Sequence, residues 1–166
     1  ISYERLVADV KKGDHILMGD GEIELIVVSK TSTDVVCEVV IGGELKSNKG
    51  LNAPGVRLSE SVPTAADLES VAFGIEHDAD FFALSFVRTA AEVQNLRKVL
   101  REKGSDIPII TKIEKKEALE DLRGILEASD AVMIARGDLG LELPIQQVPL
   151  VQKDVIRAAL AAARPV

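Results

Sequence analysis

A lysine and a glutamate stand two residues apart at the end of an apolar run in "PIITKIEKKEAL", residues 108–119. Side chains alternate across a strand, so Lys112 and Glu114 point one way and Ile113 the other. Ile109, Ile110 and Ile113 read as a strand buried on both faces, and such a strand has no structural need to end in a cation and a carboxylate. A second carboxylate, Asp138 in "AVMIARGDLG", follows 24 residues after Glu114. Two carboxylates with open coordination positions suit Mg2+ or Mn2+, hard ions that take oxygen ligands and keep places for water or substrate. A lysine beside them puts positive charge where a phosphoryl group or an enolate develops negative charge.

Plainer readings compete at each position. A Lys and a Glu two apart often form only a surface ion pair, and Asp138 could simply cap the next helical turn. Gly137 and Gly140 permit close backbone approach, so N–H groups there could hold a carboxylate or phosphate, or the glycines could only let the chain turn. Lys49, in "LKSNKGLNAPG", could touch a phosphate or be merely solvated. His15 and His77 have no metal-ligand spacing, Cys37 has no adjacent base, and no Ser-His-Asp arrangement is legible, so none of these receives a role.

The elements that must position these residues change character along the chain. Residues 1–58 read as short antiparallel strands, "HILM", "EIELIVVS" and "DVVCEVVI", divided by Gly19-Asp20-Gly21, by Thr31 to Asp34 and by Gly42-Gly43. "LKSNKGLNAPG" then marks a loop and a domain boundary, which places a second domain at 59–166. There, Thr64 with Asp67 and Thr89 with Glu92 signal helix starts, followed by the stripes Leu68, Val71, Ala72, Ile75 and Val93, Leu96, Leu100. A third helix is expected over 117–128 and a fourth from Gln147 to Ala163. Apolar strands starting at 81, 107 and 131 lie 26 and 24 residues apart, a repeating βα unit with parallel strands and right-handed crossovers.

This is an α/β pattern that fits either an open doubly wound sheet or part of a (β/α)8 barrel. Ser85, Lys112 with Glu114, and Arg136 with Asp138 all fall at strand ends, where barrels gather functional side chains, and the Gly-x-Gly-x-x-Gly fingerprint is missing. The barrel segment is therefore the expected fold, behind a small N-terminal β-barrel portion.

Composition narrows the class. The 166 residues carry a net charge of −7 without asymmetry, seven basic against ten acidic residues in 1–60 and thirteen against seventeen afterwards. That gives no basic patch for nucleic acid or an anionic membrane. No stretch approaches the roughly 18 apolar residues of a membrane helix. A single cysteine points to a reducing compartment, the cytoplasm or an organellar stroma. A chain that starts at Ile1 and stops at "ARPV" is expected to be a piece of something longer.

With these residues assembled, the chain resembles the pyruvate kinase family. "IITKIEKKEAL" is similar to the signature around that family's active-site lysine, "AVMIARGDLGLELP" to its second metal-ligand segment, and "GGELKSNKGLNAPG" to the stretch leading out of its lid domain. "FFALSFVRTAAEV" and "ILEASDAVMIARGD" agree as well, so the resemblance covers essentially the whole chain. It implies phosphoryl transfer from phosphoenolpyruvate to ADP, giving ATP and pyruvate, with Mg2+ or Mn2+ and K+. It further implies that Lys112 binds substrate and stabilises the transferring phosphoryl group, that Glu114 and Asp138 hold the divalent ion, and that the backbone at Gly137 and Asp138 holds substrate oxygens. Lys49 would contact nucleotide phosphate, Ser85 would line the site with Arg136 nearby, and the parent would be a homotetramer.

The sequence departs from the family in the lid, where Gly19 in "MGDG" replaces an acidic residue and "LNAPG" replaces "VNLPG", and at Lys116, where proline or histidine is usual. The resemblance also places the K+ site and a substrate-binding arginine before this segment, and a threonine that helps protonate the enolate after it. Two other readings remain: a metal-dependent lyase or aldolase acting on pyruvate enolate, which the β-rich insert opposes, and a non-catalytic β-barrel binding module, which the acidic balance opposes. The isolated chain is expected to make no pyruvate from phosphoenolpyruvate and ADP; magnesium-dependent turnover by the purified 166-residue chain would overturn that expectation.

Overall fold

The computed structural model describes Tyr3 and residues 5–47, 49–59 and 62–166; Ile1 and Asn48, which the sequence reading touches, lie outside the described residues. Two units divide the chain, residues 1–60 and 61–166.

The first unit opens with the short helix α1 (Leu6–Asp9). Strands β1 (His15–Met18), β2 (Ile23–Lys30), β3 (Val35–Ile41) and β4 (Leu51–Asn52) then form one antiparallel sheet in the order β3-β2-β1-β4. The three strands read from alternation are present. The expected loop "LKSNKGLNAPG" also supplies β4, because Leu51 pairs with Met18 and Asn52 with Leu17. The sheet is open among the described residues, so the expected β-barrel portion takes the form of an open four-stranded sheet here. Leu6, Val10, Ile16, Val27, Ala53 and Val56 form its core.

Gly19, Asp20 and Gly21 turn β1 into β2 with φ of 61°, 60° and 89°. An acidic residue at 19 would sit in left-handed backbone, with its Cβ 3.3 Å from Glu22 Oε2, so the departure from the family's acidic residue has a local physical reason. The two ends of the unit meet in a clasp. Tyr3 OH donates to Asp9 Oδ2, and the same oxygen accepts Ser59 N–H at 2.7 Å and Ser59 Oγ–H at 3.1 Å. Burial pushes the Asp9 carboxyl up, but the Tyr3 and Ser59 hydrogen bonds and the Arg5 charge outweigh it and hold it below its ordinary value.

The second unit runs α2 (Ala65–Glu76), β5 (Phe82–Leu84), α3 (Ala90–Glu102), β6 (Ile109–Ile113), α4 (Lys116–Glu120), α5 (Leu122–Ala128), β7 (Ala131–Ile134) and α6 (Arg136–Glu142). A 3-10 turn (Ile145–Gln147) and α7 (Val148–Ala161) complete it. Both helix-start signals are realised. Thr64 Oγ1 accepts Asp67 N–H while Asp67 Oδ2 accepts Thr64 N–H, and Glu92 Oε2 reaches back to Thr89 N–H. Along α3, Val93, Leu96 and Leu100 are buried as the stripe requires, whereas on α2 Ala72 is exposed. The expected third helix is broken at Asp121, whose Oδ2 turns away to accept Ala90 N–H at 2.7 Å at the start of α3. The fourth helix starts one residue later and ends two residues earlier than expected, and it follows the 3-10 turn.

Strands β5, β6 and β7 are parallel and in that order, as the repeat demands. The sheet has three strands and does not close, so the fold is an α/β segment and not a barrel. Its two faces differ. Leu84, Ile109, Thr111, Ile113 and Val132 are buried in the main core with Leu96, Leu100, Ile125 and Leu126 of the helices. Ala83, Ile110, Lys112 and Met133 alternate with them on the other face, where Ala83 and Met133 are exposed and Ile110 and Lys112 half-buried. This corrects the reading of β6 as covered on both sides: period-two alternation leaves Lys112 on an open face. Among the described residues no helix is long and apolar enough to cross a membrane.

Asp130, just before β7, ties β6 and α3 together: its Oδ2 accepts Ile109 N–H and an Arg97 Nη2 hydrogen, each at 2.7 Å. Burial pushes its carboxyl up, but the Ile109 and Arg97 hydrogen bonds and the charges of Arg97 and Arg164 outweigh that and hold it below its ordinary value. A depressed folded value gives stabilisation that is fully present above about pH 4 and is lost as pH falls through the folded value. Because Asp130 is half-exposed, Asp130→Asn is expected to lower the unfolding free energy by only about 1 kcal/mol at pH 7. In urea melts repeated at falling pH the two proteins should converge below about pH 4; an equal deficit at every pH would mean the charge contributes nothing.

Candidate active site

The ends of β5 and β6 meet because the strands are in register, Leu84 beside Thr111, so Ser85 emerges next to Lys112. Lys112 Nζ donates to Ser85 Oγ at 2.9 Å and lies 2.5 Å from Glu114 Oε1. The Glu114 side chain is 1% exposed and that of Lys112 25%, so this is a largely buried ion pair and not a surface one. The other carboxylate oxygen, Glu114 Oε2, accepts the Phe86 N–H at 2.7 Å. Oε1 has no aligned hydrogen-bond donor, and the lysine ammonium is its ion-pair partner.

Phe86 has φ of 57°, left-handed backbone that disfavours a residue bearing Cβ, and its ring is exposed. Strain of this kind costs on the order of 1–3 kcal/mol and persists where surroundings over-determine it. Here the reversed backbone aims the N–H at Glu114. The next turn is held by Glu92, whose carboxylate accepts Arg88 N–H at 2.6 Å and Arg88 Nε at 2.9 Å and pairs with Nη2 at 2.5 Å.

Strand β7 lies beside β6 with Lys112 opposite Met133 and Ile113 opposite Ile134. The ladder ends where Ala135 N–H donates to Ile113 O at 3.2 Å, and Leu139 N–H then donates to Ala135 O at 3.0 Å, the first helical bond of α6. Arg136 and Asp138 were expected at the strand end; they lie instead in the first turn of that helix, where the helix dipole favours the Asp138 carboxylate. Asp138 is half-buried and Arg136 exposed. Neither Gly137 nor Gly140 takes positive φ, so neither serves to reverse the chain. A Cβ at Gly140 would stand 2.9 Å from Ile145 Cδ1, whereas at Gly137 nothing lies within 4 Å, which leaves that backbone open. Lys49 is exposed in the first unit, and His15 contacts Glu24 on the neighbouring strand at 2.6 Å.

Three residues at the site escaped the sequence reading: Phe86, Lys115 and Glu142. Lys115 Nζ donates to Glu142 Oε1, a pair with side chains 11% and 4% exposed that joins the segment after β6 to α6. Glu142 could have been noticed one helical turn beyond Asp138, had "RGDLGLE" been read as a helix. No sequence signal marks the φ of Phe86.

A divalent cation fits what is present. Glu114 Oε1 is a buried oxygen with no aligned hydrogen-bond donor, and Asp138 follows by four residues the end of β7, the strand paired with β6. No group of three or more His, Cys, Asp or Glu side chains is assembled for a metal among the described residues. An ion held here would therefore take two carboxylates and fill its other places with water or substrate oxygens, as Mg2+ does.

The family described as "Pyruvate kinase, barrel domain" matches residues 1–166. Relatives named pyruvate kinase include one from Corynebacterium glutamicum, 44% identical over 165 residues that make up 99% of this chain and 35% of the relative. Another from Thermotoga maritima is 45% identical over 166 residues, 100% of this chain and 36% of the relative. One from Staphylococcus aureus is 44% identical over 168 residues, 100% and 29% respectively. The chain thus spans about a third of the length of the curated relatives it matches.

The burial of Glu114 makes its ion pair testable by stability alone. Lys112→Met leaves the carboxylate buried without its neighbouring charge and is expected to cost about 3 kcal/mol. Adding Glu114→Gln should recover much of that loss in urea melts. A double variant no more stable than the single one would mean that Lys112 stabilises through packing of its stem.

Proposed function

Because the chain belongs to the pyruvate kinase family, we propose that it is the phosphoryl-handling portion of an enzyme that transfers the phosphoryl group of phosphoenolpyruvate to ADP, forming pyruvate and ATP in glycolysis. The observation that carries this reading is the Lys112–Glu114 pair, a buried carboxylate ion-paired through Oε1 to an ammonium on an open sheet face. Phosphoryl transfer needs charge neutralisation and alignment more than covalent help, and this pair is suited to both.

Lys112 would stabilise the charge on the transferring group, and its ammonium donates to Ser85 Oγ at 2.9 Å. Glu114 and Asp138 would hold Mg2+ or Mn2+, which when bound would neutralise phosphate charge and orient the reacting oxygens. The open backbone at Gly137 and Asp138 would receive substrate oxygens, Arg136 lies in the same helical turn, and Lys49 would meet nucleotide phosphate. A K+ site, a cytoplasmic location and a homotetrameric assembly belong to the same reading of the whole enzyme, and none of them rests on residues described here. The same reading makes residues 1–58 the latter part of a lid that excludes water, and 59–166 the central part of the barrel.

In the full-length enzyme carrying this segment, Lys112→Met and Glu114→Gln should each reduce pyruvate formation by about a thousandfold. Asp138→Asn should raise the Mg2+ needed for half-maximal rate by roughly tenfold or more. A Lys112→Met enzyme with undiminished kcat would return the pair to a structural role.

A further inference from the structure

Each of the two carboxylates assigned to the divalent ion lies one step from a partner in a second buried ion pair. Lys115 directly follows Glu114, and Glu142 lies on the same face of α6 as Asp138, four residues on. The Lys115 ammonium and the Glu142 carboxylate are in direct contact, with side chains 11% and 4% exposed. A buried pair of this kind adds little net stability over apolar residues of similar volume, because desolvation offsets the attraction. What it supplies is a fixed distance between the segments it joins. The backbone bond from Ala135 N–H to Ile113 O at 3.2 Å anchors the start of this seven-residue helix and Leu139 buries its middle in the apolar core, while the Lys115–Glu142 pair adds a polar tie at its last residue.

We propose that the Lys115–Glu142 ion pair is a positioning strut that sets the Asp138 carboxylate against that of Glu114 so that both can hold one divalent cation. The inference rests on the metal-site reading above. It makes Lys115 and Glu142 positioning residues that need not touch metal or substrate. Electrostatics alone predicts opposite effects at the two positions: loss of the Lys115 charge would tighten cation binding, and loss of the Glu142 charge would weaken it. A strut predicts weakening from both.

The experiment is Mn2+ titration of the full-length enzyme that carries this segment, with free Mn2+ read from its electron paramagnetic resonance signal and folding from circular dichroism. Wild type should bind Mn2+, and Asp138→Asn should bind it at least about tenfold more weakly. Lys115→Met, Glu142→Gln and the charge-balanced double variant Lys115→Met/Glu142→Leu should each weaken binding about tenfold or more while keeping the fold. Lys115→Arg should stay close to wild type. The double variant replaces the pair by apolar side chains of similar size, so it carries the test if either single variant unfolds. Tighter binding in Lys115→Met beside weaker binding in Glu142→Gln, or unchanged binding in the double variant, overturns the strut and leaves the metal site standing. A wild-type enzyme that binds no Mn2+ overturns the metal site itself and the strut with it.

Discussion

A carboxylate 1% exposed at the end of a parallel strand must be compensated from every side, and Glu114 imposes that requirement on its neighbours. Lys112 answers with charge from the same strand, and Phe86 answers with a backbone N–H from the next. The second answer holds only if the chain after β5 turns through left-handed backbone, and that turn is in turn pinned by the bonds from Arg88 and Thr89 to Glu92 at the start of α3. The strand ends, the turn after β5 and the cap of α3 thus form one polar assembly. The apolar core below it, from Ile109 and Ile113 to Leu96 and Ile125, holds the strands in the register that brings these groups together.

Much of this was legible wherever one residue type has one strong local preference. Alternation put Lys112 and Glu114 on one side, the 26- and 24-residue spacing gave parallel strands, and Thr64 with Asp67 and Thr89 with Glu92 marked helix starts that the structure realises. What escaped depends on partners distant in sequence. Asp121 breaks a helix because Ala90, 31 residues away, needs an acceptor. "RGDLGLE" becomes helix although its two glycines argue against one, because the ladder between β6 and β7 ends at Ala135 and the chain must satisfy its N–H groups within itself. The buried character of the Lys112–Glu114 pair, which sets it apart from an idle surface contact, comes from packing and not from spacing.

The two faces of the β5-β6-β7 sheet show how a single alternation separates stability from chemistry. Odd positions of β6 fill the core under the helices, and even positions project from the open side with the lysine among them. Glu114 continues the even set past the end of the strand and, with Lys112, couples packing to charge, being 1% exposed and yet ionic.

The clasp of Tyr3, Asp9 and Ser59 has a consequence in polymer terms. Tyr3 and Ser59 are 56 residues apart in sequence, yet Ser59 N–H donates to Tyr3 OH at 3.1 Å. To the chain on either side, the folded first unit therefore behaves as a link of almost no contour length. Closing a flexible loop of that size would oppose the pairing of flanking segments by an entropy that grows with the logarithm of its length. Once the clasp forms, that opposition falls away, and a unit of this size is hosted as though it were a tight turn.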